Sequence, residues 1–350
     1  METRKVQQLG PSTLAMTLPA EWARNYDVEK GDEVSLRMGD QGSITVLPES
    51  IDTGESTATI DASDLDADTL ERAIVAQYVL GRRVIAVESG ERATLAGEHI
   101  SAVYNAEAQL MGLGVIEETP DRISIRCSVD PEDFSLANLL ERLESTGRTM
   151  RSEAIDALSQ GNRELADRAL NRERQANKIF VLLLRLIFSA HRDPTLARAV
   201  GLTESFPLIA FRSLAKNLEL TADSAEDIAT IARDADGHTL AVSDSTMNRI
   251  RAFNDHVDKI SEQAVRAAVD RDHELTTDVR ERFDAIDDQV QDIFEGLDEL
   301  SNEDLLEVRE VLVALQQTAD FGVRNAEIAT NLALDRDAGP VTIDNAAANQ

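Results

Sequence analysis

The sequence predicts a multidomain α+β chain: a small N-terminal β domain, a small α/β domain, and a C-terminal all-α region built as two three-helix bundles. Three observations carry this. Apolar residues alternate with period two over the first fifty positions, strand and helix patterns are mixed from about 57 to 130, and helical spacing fills the rest. A chain of 350 residues exceeds one ordinary core, and its 42% hydrophobic content supplies several. The expected segments are 1–49, 57–130 and 133–335, the last with repeats at about 133–235 and 240–335, followed by a flexible tail at 336–350.

In the first segment, Leu14, Met16 and Leu18 alternate with Thr13, Ala15 and Thr17, as a half-buried strand requires. Pro19 suits the first turn of a short helix through Glu21, Trp22 and Ala23, ending near Tyr26 to Val28. Gly31 lets the chain turn, and Val34, Leu36 and Met38 form the next strand. Gly39-Asp40-Gln41-Gly42 supplies hairpin chemistry before Ile44, Val46 and Leu47. A polar linker follows around Gly54.

This order, with Leu18-Pro19-Ala20-Glu21-Trp22 and then Val28-Glu29-Lys30-Gly31-Asp32-Glu33-Val34, resembles the AbrB/MazE/SpoVT swapped-hairpin family over about 45 residues. The resemblance implies a homodimer whose chains interleave their hairpins. It also implies DNA binding through the first hairpin, onto which Arg4, Lys5, Gln7, Gln8, Ser12 and Thr13 map. Phosphate contacts dominate such affinity, and Glu2 is the only acid among the first twenty residues. Two readings stay open for this hairpin: promoter recognition, or dimerisation alone.

The middle segment reads as strand Thr57 to Ile60, helix Asp68 to Leu80, strand Arg83 to Val87, helix Leu95 to Met111, then strands Val115 to Glu118 and Arg122 to Cys127. Such mixed order indicates a small α/β sandwich. Gly112-Leu113-Gly114 has no glycine-rich continuation and makes no nucleotide loop.

Beyond Pro131, Leu208, Phe211, Ala215, Leu218, Ala222, Ala225 and Ala229 recur at steps of three and four. So do Val279 to Leu300 and Leu305 to Ala329. Narrow seams of this kind pack helices side by side in bundles. Breaks near Gly161, Asp193-Pro194, Gly237 and Ser301-Asn302 predict six long helices, with one irregular piece at Thr195 to Gly201. Glu173 to Phe180 lines up with Asp287 to Phe294, and Glu226 to Thr230 parallels Ala326 to Thr330, an internal repeat.

Two three-helix repeats, with Leu218-Glu219-Leu220-Thr221-Ala222-Asp223 in a third helix, resemble the PhoU family over about 200 residues. That resemblance implies regulation of phosphate uptake, no enzymatic activity, and a phosphate ABC transporter or an associated signalling protein as partner. It also implies carboxylate clusters holding iron or zinc, to which Glu173, Glu219 and Asp223 correspond. Asn177 departs from the pattern, as do Gln291, Ala319 and Val323 in the second repeat. The alternative for these acids is a solvated helix face. Two further alternatives remain for the whole chain: a transcription factor answering another signal, and a dimeric adaptor or metal-binding scaffold without DNA binding.

The charge balance is 65 acidic against 35 basic residues, a formal net of −30, with five lysines. Distributed acidity with few lysines resembles proteins of salt-loving organisms, haloarchaea among them, where salt screens self-repulsion. Cys127 is the one cysteine, which excludes an internal disulfide and a thiolate metal cluster; its alternating neighbours place it in a buried strand. Residues Ile179 to Ala190 are too few to span a membrane and include Arg185. With no apolar leader after Met1, a cytoplasmic location is expected. The histidines, His99, His191, His238, His256 and His273, lack ligand spacing and are expected at the surface or at caps.

Overall fold

The computed structural model describes residues 3–38, 44–48, 56–90, 94–201, 207–235, 237–297 and 300–334. The expected turn Gly39-Asp40-Gln41-Gly42, the linker at Gly54 and the tail at 336–350 lie outside them. Two compact units result, 1–56 and 57–350.

The first unit holds two small antiparallel pairs and one helix. β1 (Gln7–Gln8) pairs with β2 (Leu14–Ala15), and β3 (Val34–Met38) pairs with β4 (Ile44–Pro48). Between them lies α1 (Ala20–Asn25), which Pro19 precedes at the capping position. Gly31 turns the chain with φ +111°, a value glycine adopts without strain. The strand expected through Leu18 is shorter than the alternation suggested. No described side chain of this unit is buried, and Leu14 and Met16 are 71% and 54% exposed. Half-buried strands need an apolar layer to face, and the described residues of this unit supply none by themselves.

The second unit begins with a two-layer α/β sandwich. Its strands are β5 (Thr57–Asp61), β6 (Val84–Glu88), β7 (Leu113–Glu118) and β8 (Arg122–Cys127), in sheet order β5-β6-β8-β7. β5 and β6 run parallel because α2 (Ala67–Val79) crosses between them; the other pairs are antiparallel. α2 and α3 (Gly97–Gln109) cover one face, burying Leu70, Ile74, Ile85, Val87, Ile123 and Ile125. Cys127 is 2% exposed in that layer, as expected. His99 departs from the surface expectation: it is buried at 1%, with Nε2 2.8 Å from the carbonyl of Leu65. That bond satisfies the ring inside the core.

The helices follow as α4 (Leu136–Gln160), α5 (Arg163–Arg192), α6 (Pro194–Ala199), α7 (Pro207–Asp234), α8 (Asp244–Asp270), α9 (His273–Phe283), α10 (Ile286–Phe294) and α11 (Asn302–Ala333). The caps explain the boundaries: Gly161 takes φ +59° after α4, and Asn162 caps α5 from Glu164 and Leu165 backbone N–H groups. α4, α5 and α7 pack into one set, and α8, α9–α10 and α11 into a second; α4 meets α8 and α7 meets α11 where the sets join. Every member of the α7 seam from Leu208 to Ala229 is buried.

Two expectations are corrected. The piece at Thr195 to Gly201 is largely the short helix α6. The helix expected through Val279 and Leu300 is broken at Asp284-Ala285. There His256 reaches from α8 and places Nε2 2.8 Å from the carbonyl of Arg282, while the Ala285 N–H donates to the same carbonyl at 3.2 Å. The acceptor that Ile286 would use in a continuous helix is taken. Among the described residues, no helix is long and apolar enough to cross a membrane.

Candidate functional sites

The first candidate surface is the β1–β2 hairpin. Gln7 faces Ala15 and Gln8 faces Leu14, and the Leu9 N–H donates to the Thr13 carbonyl at 2.9 Å, closing a turn over Gly10-Pro11-Ser12. Arg4, Lys5, Gln7, Gln8, Ser12 and Thr13 are all exposed, so the structure gathers the six residues on one hairpin and its leading segment. This arrangement offers cations and neutral hydrogen-bonding groups together, the chemistry that meets a phosphate backbone and base edges.

The second is an acidic face where α5 meets α7. Glu173 on α5 and Glu219, Asp223 and Glu226 on α7 are half-buried there. Burial raises the Glu173 carboxyl above its usual range, and Glu226, Asp223 and Glu219 raise it further. Burial, then Glu219, pushes Asp223 up to about 6, against an opposing pull from Lys216. Lys216 forms an ion pair with Glu219 one turn away on the same helix. The predicted acids are thus neighbours, joined by Glu226, which the sequence reading missed although it stands three residues after Asp223 on the same face. Among the described residues, no group of three or more His, Cys, Asp and Glu side chains is arranged to hold a metal ion.

A third feature couples the α/β layer to the helices. Arg185, 5% exposed within α5, donates from Nη1 to the carbonyls of Tyr78 and Arg82 at 2.6 and 3.0 Å, and its guanidinium lies 4.7 Å from the Tyr78 ring centre. Arg192 donates to the Leu80 carbonyl at 2.6 Å. Both arginines therefore sit at the C-terminal end of α2, where the helix dipole is negative.

Comparison with family models gives two matches. Residues 140–232 match the PhoU domain, and residues 7–53 match the antidote-toxin recognition MazE, bacterial antitoxin, model. The first spans α4 from Leu140 through most of α7, and the second spans all four strands of the first unit. Comparison with curated proteins finds no match. The chain thus carries a PhoU domain behind an N-terminal domain of MazE type.

Proposed function

We propose that this chain, with its PhoU domain joined to a MazE-type domain, is a non-enzymatic cytoplasmic regulator of phosphate uptake and phosphate homeostasis that binds promoter DNA as a homodimer. The pairing of those two domains in one chain carries the reading. The PhoU side points to phosphate status as the signal and to a phosphate ABC transporter or its associated signalling protein as partner. The MazE side points to DNA.

The first unit supports the homodimer. Val6, Leu9, Leu14, Met16, Leu36 and Ile44 are all more than half exposed, and a second copy would bury them. Two copies would also double the cations that the hairpin offers to phosphates. The α/β layer, clamped to α5 by Arg185 and Arg192, would follow any movement of that helix.

Transcripts of phosphate-transport genes, measured in phosphate-rich and phosphate-starved cells, test this. The deletion strain and a strain carrying Arg4→Ala/Lys5→Ala should both lose the phosphate response. A response that survives deletion would overturn the phosphate reading. One lost on deletion but kept in the double variant would leave an adaptor that works without DNA.

A further inference from the structure

α4 and α8 meet where the first three-helix set joins the second, and their contact contains buried charge. Arg151 of α4 is 0% exposed, and its Nε and Nη2 both donate to Oδ1 of Asp258 on α8, at 3.1 and 2.6 Å. The other oxygen of Asp258 accepts from Asn254 at 3.3 Å. Two turns before Arg151, Glu144 is 4% exposed. Its partner is Arg148, 3.7 Å away, yet Arg148 stands closer to Glu262 of α8, at 3.1 Å. Arg151 is committed to Asp258, so Glu144 holds the weakest share of either guanidinium. Its Oε1 is buried without a hydrogen-bond partner among the described residues, as are Nη1 of Arg151 and Oδ1 of Asn254.

The charges acting on Glu144 divide by helix. Arg148 and Arg151 on α4 favour its ionised form, while Asp258 and Glu262 on α8 oppose it. No charged group of α5 or α7, which also pack against α4, is among those that shift it. Ionisation therefore sets like charges against each other across the joint, and protonation removes that repulsion. A groove of about 320 Å³, lined by Glu141, Glu144, Arg148, Glu262 and Val265 among others, gives solvent a path to this point. The second contact between the sets, α7 against α11, is bridged by Asn217 and Asn325 at 2.8 Å; there Asp227 of α7 is raised by burial and then by Glu310 of α11, but it is exposed, unlike Glu144.

From this arrangement we propose that Glu144 is a proton-binding site whose occupancy sets how tightly α4 is held against α8, which makes the joint between the two three-helix sets a proton-responsive hinge. Burial first, then repulsion from Asp258 and Glu262, outweighs the two arginines and brings the Glu144 carboxyl from its ordinary 4.5 up to about 7. The folded value lies above the unfolded one. The stabilising contribution is therefore complete below the ordinary carboxylate range and is lost as pH rises through about 7.

The test is thermal denaturation and hydrogen exchange of 141–151 and 254–266, from about pH 5 to about pH 9, in the full chain, with exchange corrected for its intrinsic pH dependence. The net charge of −30 imposes a pH dependence of its own, which wild type and Glu144→Gln share, so their difference isolates this carboxyl. Wild type should lose Tm relative to Glu144→Gln as pH rises from the ordinary carboxylate range, with the loss levelling off near pH 7, and both segments should lose protection over the same range. Glu262→Gln, which removes a like charge and releases Arg148 to Glu144, should move that levelling point to lower pH. Superposable profiles for wild type and Glu144→Gln would overturn the proposal. If Glu144→Gln does not fold, an unmoved levelling point in Glu262→Gln would overturn it equally.

Discussion

A guanidinium inside an apolar helix is costly unless its donors are used, and Arg185 uses Nη1 on the carbonyls of Tyr78 and Arg82 at the end of α2. Hydrogen bonds to charged groups are worth about 1.5–3 kcal/mol each, and a carbonyl left buried without a donor adds to the loss. Arg185→Ala should therefore destabilise the second unit by about 3 kcal/mol in urea denaturation. Arg185→Lys should recover only part, because an ammonium lacks the planar guanidinium that lies over the Tyr78 ring while Nη1 donates to both carbonyls. An unchanged midpoint in Arg185→Ala would show that the clamp carries no stability. The sequence displayed Arg185 as an interruption of Ile179 to Ala190, but not its partners, since Tyr78 and Arg82 lie about a hundred positions away. His99 was misjudged for the same reason: its ring is satisfied by the Leu65 carbonyl, a contact that local pattern does not encode.

Whether an element was legible depended on where its determinants lie. The long helices could be read because apolar spacing and capping residues such as Gly161, Asn162 and Ser301 are local. The break between α9 and α10 could not, because it depends on His256 arriving from α8. In the hairpins, alternation marked the strands correctly in kind, yet their apolar side chains stand exposed at Leu14, Leu36 and Ile44. The second copy proposed above would bury them. Leu14→Asp should accordingly shift the chain from dimer to monomer in light scattering at micromolar concentration, while circular dichroism of the helical region stays unchanged. A dimer that persists in the variant would move the interface off this hairpin. The candidate acids were half legible: Glu173, Glu219 and Asp223 do come together, but the sequence could not show that Glu226 joins them or that Lys216 pairs with Glu219.

Taken whole, the molecule joins a hairpin unit lacking its own buried core to a larger unit in which an α/β layer is clamped onto two three-helix sets. The PhoU match stops at residue 232, so it covers the first set. The second set repeats the helix layout, with Ala319 buried and Val323 half-buried at positions where the resemblance called for acids. That asymmetry leaves the acidic face of α5 and α7 on the first set. The two sets meet both at Glu144, between α4 and α8, and between α7 and α11. The net charge of −30 matters at this scale as well, since DNA repels such a chain everywhere except at a locally basic surface like that around Arg4 and Lys5. Genome-wide occupancy of the tagged protein, in phosphate-rich and phosphate-starved cells and alongside Arg4→Ala/Lys5→Ala, tests this account most directly. It predicts discrete peaks near phosphate-transport genes that shift with phosphate supply and vanish in the variant. Absence of enrichment under both conditions, or peaks indifferent to phosphate, would contradict it.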